Sequence, residues 1–178
     1  MRHIISVFVE NEFGVLARVA GLFSGRGFNI ESLCVGETLD PEISSMTIVT
    51  TGSDGILEQI LKQLNKLVNV IKVTDFKDVE HVSREMVLIK ISADEKTREE
   101  ILRMIEIFRG RVVDVSPKSY TVEITGNEEK VKAFLTLVKP LGIREVVRTG
   151  TVAIMRGEKV IRAREKQPKG GSDGEGVL

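Results

Sequence analysis

The fold of this chain is decided by residues 4–35, which read IISVFVENEFGVLARVAGLFSGRGFNIESLCV. Residues 4–9 are apolar except for one serine and rich in β-branched side chains, and acidic residues follow them, as at the end of a buried strand. From Val15 onward apolar residues recur at the spacing of one helix face, and two nearby glycines supply a stop signal. Residues 29–35 again have strand character. This stretch therefore predicts a strand, an amphipathic helix and a second strand.

The same alternation of patterns continues to residue 73. Residues 46–51 read as a strand that forms a hairpin with residues 29–35, because Asp40 and Pro41 mark a turn between them. A second helical stripe runs from Ile56 to Val68, and residues 70–73 read as a short closing strand. The first half of the chain is therefore predicted to have the order βαββαβ.

After a polar connector at residues 77–84 the same order begins again. Asn127 is placed to cap the last helix, and Pro140 and Gly142 are expected to end it. The predicted elements are strands at 86–91, 111–115, 120–124, 143–147 and 152–155, and helical stripes at 101–108 and 131–138. The repeat predicts a second βαββαβ unit.

The predicted fold is α+β, with two tandem ferredoxin-like βαββαβ domains whose antiparallel sheets are each backed by two helices. The predicted domains are residues 1–77 and 84–157, and residues 158–178 form a flexible tail rich in Gly, Lys and Glu. Residues 4–9 are apolar at nearly every position, which favours burial on both faces of the sheet. A second chain is expected to cover the remaining face or the sheet edge, so we expect at least a dimer.

Composition excludes several classes of protein. The chain has 178 residues, 42% of them hydrophobic, with 26 basic and 26 acidic side chains, so neither overall disorder nor a global attraction to nucleic acid is expected. The single cysteine, Cys34, cannot form an internal disulfide, and His3 and His81 lack metal-ligand spacing, so no metal site is expected. No apolar run is long enough to cross a membrane, and the chain is placed in the cytoplasm.

The informative polar segment is the turn before the first helix, Asn11 to Leu16. A helix N-terminus leaves backbone N–H groups without partners, and these groups favour a small carboxylate. Gly14 has no Cβ that would obstruct a ligand. The simpler alternative is that Asn11 only caps the helix and Gly14 only relieves a turn. Asn29, beside Ile30, offers an amide oxygen for an ammonium group, or is an ordinary turn residue.

At these residues the sequence closely resembles the regulatory (small) subunit of acetolactate synthase, also called acetohydroxyacid synthase. The resemblance covers about residues 2–160, and the first half also looks like an ACT domain, a module that binds effector amino acids between paired copies. The strings that carry it are NEFGVLARVAGLFSGRGFNIESL from Asn11, MTIVT from Met46, LEQILKQLNKLV from Leu57 and EIFRGRVVDVSP from Glu106.

The resemblance implies a noncatalytic subunit that joins a separate catalytic large subunit and raises its activity. Thiamine diphosphate, Mg²⁺ and FAD are then expected in the partner and no cofactor in this chain. It also implies feedback inhibition by a branched-chain amino acid, usually valine, bound at a homodimer interface of the ACT domain. One protomer supplies Asn11, Gly14, Val15 and Leu16, and the other supplies Asn29 and Ile30. The stretch around Arg109 and Gly110 resembles a domain implicated in subunit contact.

Two other classes of function remain as alternatives. One is a free-standing amino-acid-binding ACT sensor that controls transcription or a different enzyme, although no helix-turn-helix pattern or basic arm supports control of DNA. The other is a small enzyme acting alone, for which the sequence offers no paired nucleophile and base. No catalytic residue is therefore assigned.

Overall fold

A computed structural model gives the structure of residues 1–158. The first half contains, in chain order, β1 (Arg2–Glu10), α1 (Val15–Ser24), β2 (Ile30–Glu37), β3 (Ile43–Thr51), α2 (Asp54–Leu64) and β4 (Val70–Asp75). The second half contains β5 (His81–Ser92), α3 (Arg98–Ile107), β6 (Arg111–Ser116), β7 (Ser119–Gly126), α4 (Glu128–Gly142), β8 (Ile143–Arg148) and β9 (Val152–Met155). The predicted tail lies, apart from Glu158, outside the described residues.

The two halves have the same topology. The first sheet has the strand order β2-β3-β1-β4 and the second has β6-β7-β5-β8, with antiparallel pairing throughout. Two helices cover one face of each sheet, and each helix pair encloses its own hydrophobic core with the strands beneath it. The predicted α+β class, with two tandem ferredoxin-like units, is confirmed.

Strand β1 shows why the first core forms where it does. Side chains alternate between the two faces of a strand, and Ile5, Val7 and Val9 point together into the core under α1 and α2. On the opposite face Ile4 and Phe8 stay half-buried. That second face is therefore less completely covered than the core face.

The second half departs from the prediction in two places. Residues 81–84 belong to β5 and not to a connector, because they pair with β9 in the register from His81 opposite Met155 to Arg84 opposite Val152. Helix α4 also runs past Pro140 to Gly142, where a φ of 94° ends it. Pro140 is exposed in the last turn of α4, and the left-handed glycine supplies the stop.

Three large apolar residues of the predicted helical stripes are exposed and lie outside the cores, and the first is Leu16 on α1, which is 45% exposed. Val68 is 93% exposed because α2 ends at Leu64, and Leu102 on α3 is 41% exposed. The predicted cap of α4 is confirmed, since the Asn127 side chain accepts a hydrogen bond from the Lys130 amide at 3.1 Å. No helix within residues 1–158 is both long and apolar enough to span a membrane.

Candidate functional site

The turn between β1 and α1 is open at the helix N-terminus. Gly14 immediately precedes α1 with φ 83° and ψ −6°, a left-handed conformation that other residues adopt only with strain. The Asn11 side chain does not cap the helix, because its Nδ2 donates to the Pro41 carbonyl at 2.9 Å and to Glu37 Oε1 at 3.2 Å. The capping alternative for Asn11 is therefore wrong, and this side chain instead ties the turn to the β2–β3 connection.

Several amides of this helix terminus have no acceptor. The Val15 amide donates to the Glu12 carbonyl and the Arg18 amide to that of Gly14, but no described residue accepts from the amides of Gly14, Leu16 or Ala17. The first turn of α1 carries no acidic side chain. A Cβ built on Gly14 meets no atom within 4 Å, so the space beside this residue is open. The arrangement can bind a small anion.

A buried asparagine that the sequence did not single out holds this turn in place. Asn69 is 8% exposed, and its Nδ2 donates to Glu10 Oε2 at 2.8 Å and to Glu12 Oε2 at 3.2 Å. Its Oδ1 accepts a hydrogen bond from the Arg18 guanidinium, and its backbone carbonyl accepts from the Glu10 amide at 2.9 Å. Asn69 thus fixes both acidic residues of the turn and the first part of α1. No local signal in the sequence points to Asn69, because the two glutamates that it contacts lie in a distant part of the chain.

The apolar residues of the turn differ in what they offer a ligand. The Val15 side chain is 3% exposed and belongs to the core, so it can contribute to a ligand site mainly through its backbone. Leu16 is 45% exposed and points away from the core. Phe13 is fully exposed beside the turn. Leu16 is therefore the predicted residue best placed to contact an apolar ligand group.

The remaining two predicted residues lie at the other end of α1. Asn29 is exposed, and its carbonyl accepts a hydrogen bond from Thr50 Oγ1 at 2.6 Å, while Ile30 is half-buried at the start of β2. Helix α1 has 10 residues, which corresponds to about 15 Å at the usual rise per residue. A single chain thus brings Asn11, Gly14, Val15 and Leu16 together but keeps Asn29 and Ile30 apart from them.

No other described group forms a comparable site. His3 is buried at 3% exposure with its Nε2 3.1 Å from the Gly52 carbonyl, and the His81 ring lies against Phe76 with a 4.9 Å centroid separation. Cys34 is half-buried on β2. Within residues 1–158 no group of three or more His, Cys, Asp or Glu side chains could hold a metal ion.

Comparisons with known proteins account for both halves. Residues 5–72 match the model of the AHAS small subunit-like ACT domain, and residues 84–157 match that of the small subunit of acetolactate synthase. The acetolactate synthase small subunit of Aquifex aeolicus is 53% identical over 167 residues, which cover 93% of this chain and 86% of that protein. That of Haemophilus influenzae is 52% identical over 162 residues, covering 90% and 99%.

A solved structure agrees with the sequence relatives. The crystal structure of the acetolactate synthase small subunit from Thermotoga maritima has a TM-score of 0.81 and 43% identity, and the match covers 89% of this chain and 99% of that one. The resemblance inferred from the sequence is therefore confirmed. The chain belongs to the family of acetolactate synthase small subunits, with a regulatory role.

Proposed function

We propose that this chain activates the catalytic large subunit of acetolactate synthase in branched-chain amino acid biosynthesis and makes it sensitive to feedback inhibition by valine or a related amino acid. Residues 1–77 bind the effector and dimerise, and residues 84–157 form the second domain. The partner supplies the catalysis and holds thiamine diphosphate, Mg²⁺ and FAD. The observation that carries the proposal is the open N-terminus of α1, with its unpaired amides and left-handed Gly14.

The unpaired amides at this turn suit the carboxylate of a free amino acid. The effector carboxylate lies against the amides of Gly14, Leu16 and Ala17, where the positive end of the helix dipole adds to the hydrogen bonds. The effector side chain contacts exposed Leu16. The ammonium group requires an acceptor, and the proposal assigns the side-chain amide oxygen of Asn29 from a second copy.

The topology supports this use of a second copy. Strand β2 is an edge strand and β3 is its neighbour, so one side of β2 can pair with another chain. The end of β2 lies beside the turn, where Glu37 contacts Asn11, whereas Asn29 lies at the opposite end of β2. Antiparallel pairing of two β2 strands about a two-fold axis exchanges these ends. Such pairing brings Asn29 of the second copy toward the first copy's Gly14.

The surface beside β2 is suited to contact with another chain. Helix α1 carries a single charged residue, Arg18, whereas an ordinary surface helix has a charged outer face. Arg18 contacts Asn69, and Val35 on β2 and Leu16 on α1 are 40% and 45% exposed. Burying such apolar side chains favours association.

The effector preference follows from the apolar contact. Valine has two more carbon groups than alanine, and burying each group contributes about 0.8 kcal/mol. We therefore expect valine to bind about tenfold to twentyfold more tightly than alanine. Leucine and isoleucine also have larger apolar side chains than alanine, so the same argument favours their binding over that of alanine. Calorimetric titration of the isolated chain with valine and alanine tests this ratio.

Reconstitution tests the function as a whole. Adding the chain to the acetolactate synthase large subunit is expected to raise its activity, and valine is expected to lower the activity of the complex but not of the large subunit alone. A chain that binds valine but neither associates with nor activates the large subunit would instead be a free-standing sensor.

A lysine on β2 tests the dimer. Val35→Lys places a charge in the proposed dimer interface. Because Val35 is at the surface of the single chain, the variant is expected to fold, but as a monomer that has lost valine binding. Val147→Lys is the matched control, because Val147 is a 55% exposed valine on the edge strand β8 of the second sheet. Ultracentrifugation and calorimetry measure the two effects. A monomeric Val35→Lys variant with unchanged valine affinity would contradict a site shared between copies.

A further inference from the structure

A polar cleft of about 260 Å³ lies between the two halves of the chain. Its walls come from β1, the first residues of β2, β5, the beginning of α4, the end of β8 and the connection between β8 and β9. The cleft contains two arginines and three glutamates, and every one of them is in an ion pair. The cleft is therefore a contact between the halves and has no unpaired charge to offer a ligand.

Arg2 at the start of β1 joins three elements across this cleft. Its Nε lies 3.2 Å from Glu31 Oε2 on β2, and its Nη1 lies 2.8 Å from Glu128 Oε2 at the start of α4. Its Nη2 also lies 3.5 Å from Thr151 Oγ1. One guanidinium thus connects the first sheet to two elements of the second half.

Ser32, the next residue on β2, makes a second connection. Its Oγ accepts a hydrogen bond from the backbone amide of Thr151 at 3.0 Å, and Thr151 is 6% exposed. Gly150 permits this approach, because a Cβ there would lie 2.6 Å from Ser32 Oγ, and its φ is 87°. The β8–β9 connection is therefore fitted closely to β2 at this point.

We infer that Arg2, Glu31, Ser32, Glu128 and Thr151 form a latch that transmits effector binding from the first domain to the second. The inference rests on the proposed function, in which Asn29 and Ile30 contact the effector. Those two residues directly precede Glu31 and Ser32, and the pairing of β2 with β3 shifts register between Ile30 and Ser32. A β-bulge locally disrupts the ladder, so fewer regular hydrogen bonds tie the start of β2 to β3.

The mechanism requires two arrangements of the latch. One arrangement is the one described above, in which Glu31 contacts Arg2 and Ser32 contacts Thr151. When an effector engages Asn29 and Ile30, the same backbone segment moves, and the contacts of Glu31 with Arg2 and of Ser32 with Thr151 change. A catalytic subunit docked on the second half then senses the effector.

The test weakens the latch without altering the effector residues. The variant Ser32→Ala with Glu128→Gln removes one acceptor and one charge, and Glu129→Gln is the matched control because Glu129 occupies the same exposed first turn of α4. Calorimetry measures valine affinity with and without the large subunit, and the ratio of the two affinities is the coupling factor. Such factors are typically about 5-fold to 150-fold and equal in both directions.

We expect the double variant to bind valine within about twofold of wild type and to activate the large subunit fully, while its coupling factor falls toward 1. The control is expected to keep the wild-type factor. Glu128→Gln alone leaves the hydrogen bond between Ser32 and the Thr151 amide intact and should lower the coupling factor partly. This single variant replaces the double variant in the test if the double variant unfolds. Hydrogen exchange at the Thr151 amide should change on valine addition in wild type.

The outcomes separate the two proposals. If the double variant keeps the wild-type coupling factor, the latch is overturned and the proposed function stays intact. If the double variant unfolds, the same conclusion follows from a Glu128→Gln variant that keeps this factor. Unchanged hydrogen exchange at the Thr151 amide on valine addition also overturns the latch alone. A wild-type chain that does not bind valine, alanine, leucine or isoleucine overturns both.

Discussion

Gly14→Asp puts a negative charge where the effector carboxylate is proposed to lie. Two carboxylates about 5 Å apart repel by about 3 kcal/mol at an effective dielectric constant of about 20. This energy corresponds to roughly a hundredfold weaker valine binding. Because a Cβ at this position meets no atom within 4 Å, the substitution causes no clash inside the chain. Activation of the large subunit should therefore persist while valine inhibition is lost.

Gly14→Asn separates charge from shape and backbone strain. Asparagine has the size of aspartate without its charge, and both residues tolerate the left-handed region better than most. A φ of 83° costs a non-glycine residue about 1–2 kcal/mol, and each kcal/mol lowers Tm by about 2–4 °C in a chain of this size. Both variants should lose similar stability in a thermal scan.

The decisive measurement is the ratio of the valine dissociation constants of the two variants. The expected ratio is about a hundred, because the charge is the main difference between the side chains. If the two variants bind valine equally, the electrostatic argument for a carboxylate site is refuted. If both retain wild-type inhibition in the reconstituted enzyme, the effector binds elsewhere.

Three further predictions concern stability. Asn69→Ala leaves two carboxylates without their donor and should cost about 1–3 kcal/mol by denaturant unfolding. A loss below about 0.5 kcal/mol would contradict its role in the turn. Arg109 has a φ of 51°, so Arg109→Gly should stabilise the chain by up to about 1 kcal/mol, whereas Arg103→Gly inside α3 should destabilise it by a similar amount. Lys77 donates a hydrogen bond to Asp54 and holds the pKa of that carboxyl below its usual 3.8. Asp54→Asn should therefore lower Tm at neutral pH. The Tm difference between wild type and Asp54→Asn should vanish as the pH falls below 3.8 and past the lowered pKa of Asp54, because protonation of wild-type Asp54 removes the same negative charge as the substitution.

The parts of the fold that the sequence predicted correctly depend on local signals. The bounds of α1 follow from the spacing of apolar residues between one glycine before the helix and another after it. Asn127 caps α4 through a bond to an amide three residues later, a contact that sequence spacing can reveal. Such features need no knowledge of distant parts of the chain.

The errors arose where distant residues decide the structure. Residues 81–84 have an ordinary polar composition and become a strand because β9 pairs with them. Pro140 is normally a stop signal, but α4 continues two residues further, to Gly142, because Phe134 and Val138 already anchor the helix to the core. Tertiary packing overrides the local preference in both cases.

The candidate site shows the same difference between features that depend on local signals and features that depend on distant residues. Asn11 and Gly14 stood out because they lie together in one turn, but Asn69 is 59 residues from Glu10 and 57 from Glu12, and no spacing rule links them. Val15 fitted the apolar pattern of a contact residue, yet the same pattern places its side chain in the core. Sequence therefore located the turn, while only the fold shows what holds it.

The position of the predicted site residues at opposite ends of α1 has a thermodynamic consequence. An effector that needs both copies stabilises the dimer over the monomer, by about 2.7 kcal/mol for each of the two symmetric sites when its concentration is a hundred times the dissociation constant. The strand that would form this interface, β2, is an edge strand paired only with β3 among the described residues. Strand β2 would carry the dimer interface and also contacts the second domain through Ser32. It can therefore change its contacts when an effector binds while the core beneath α1 and α2 stays fixed.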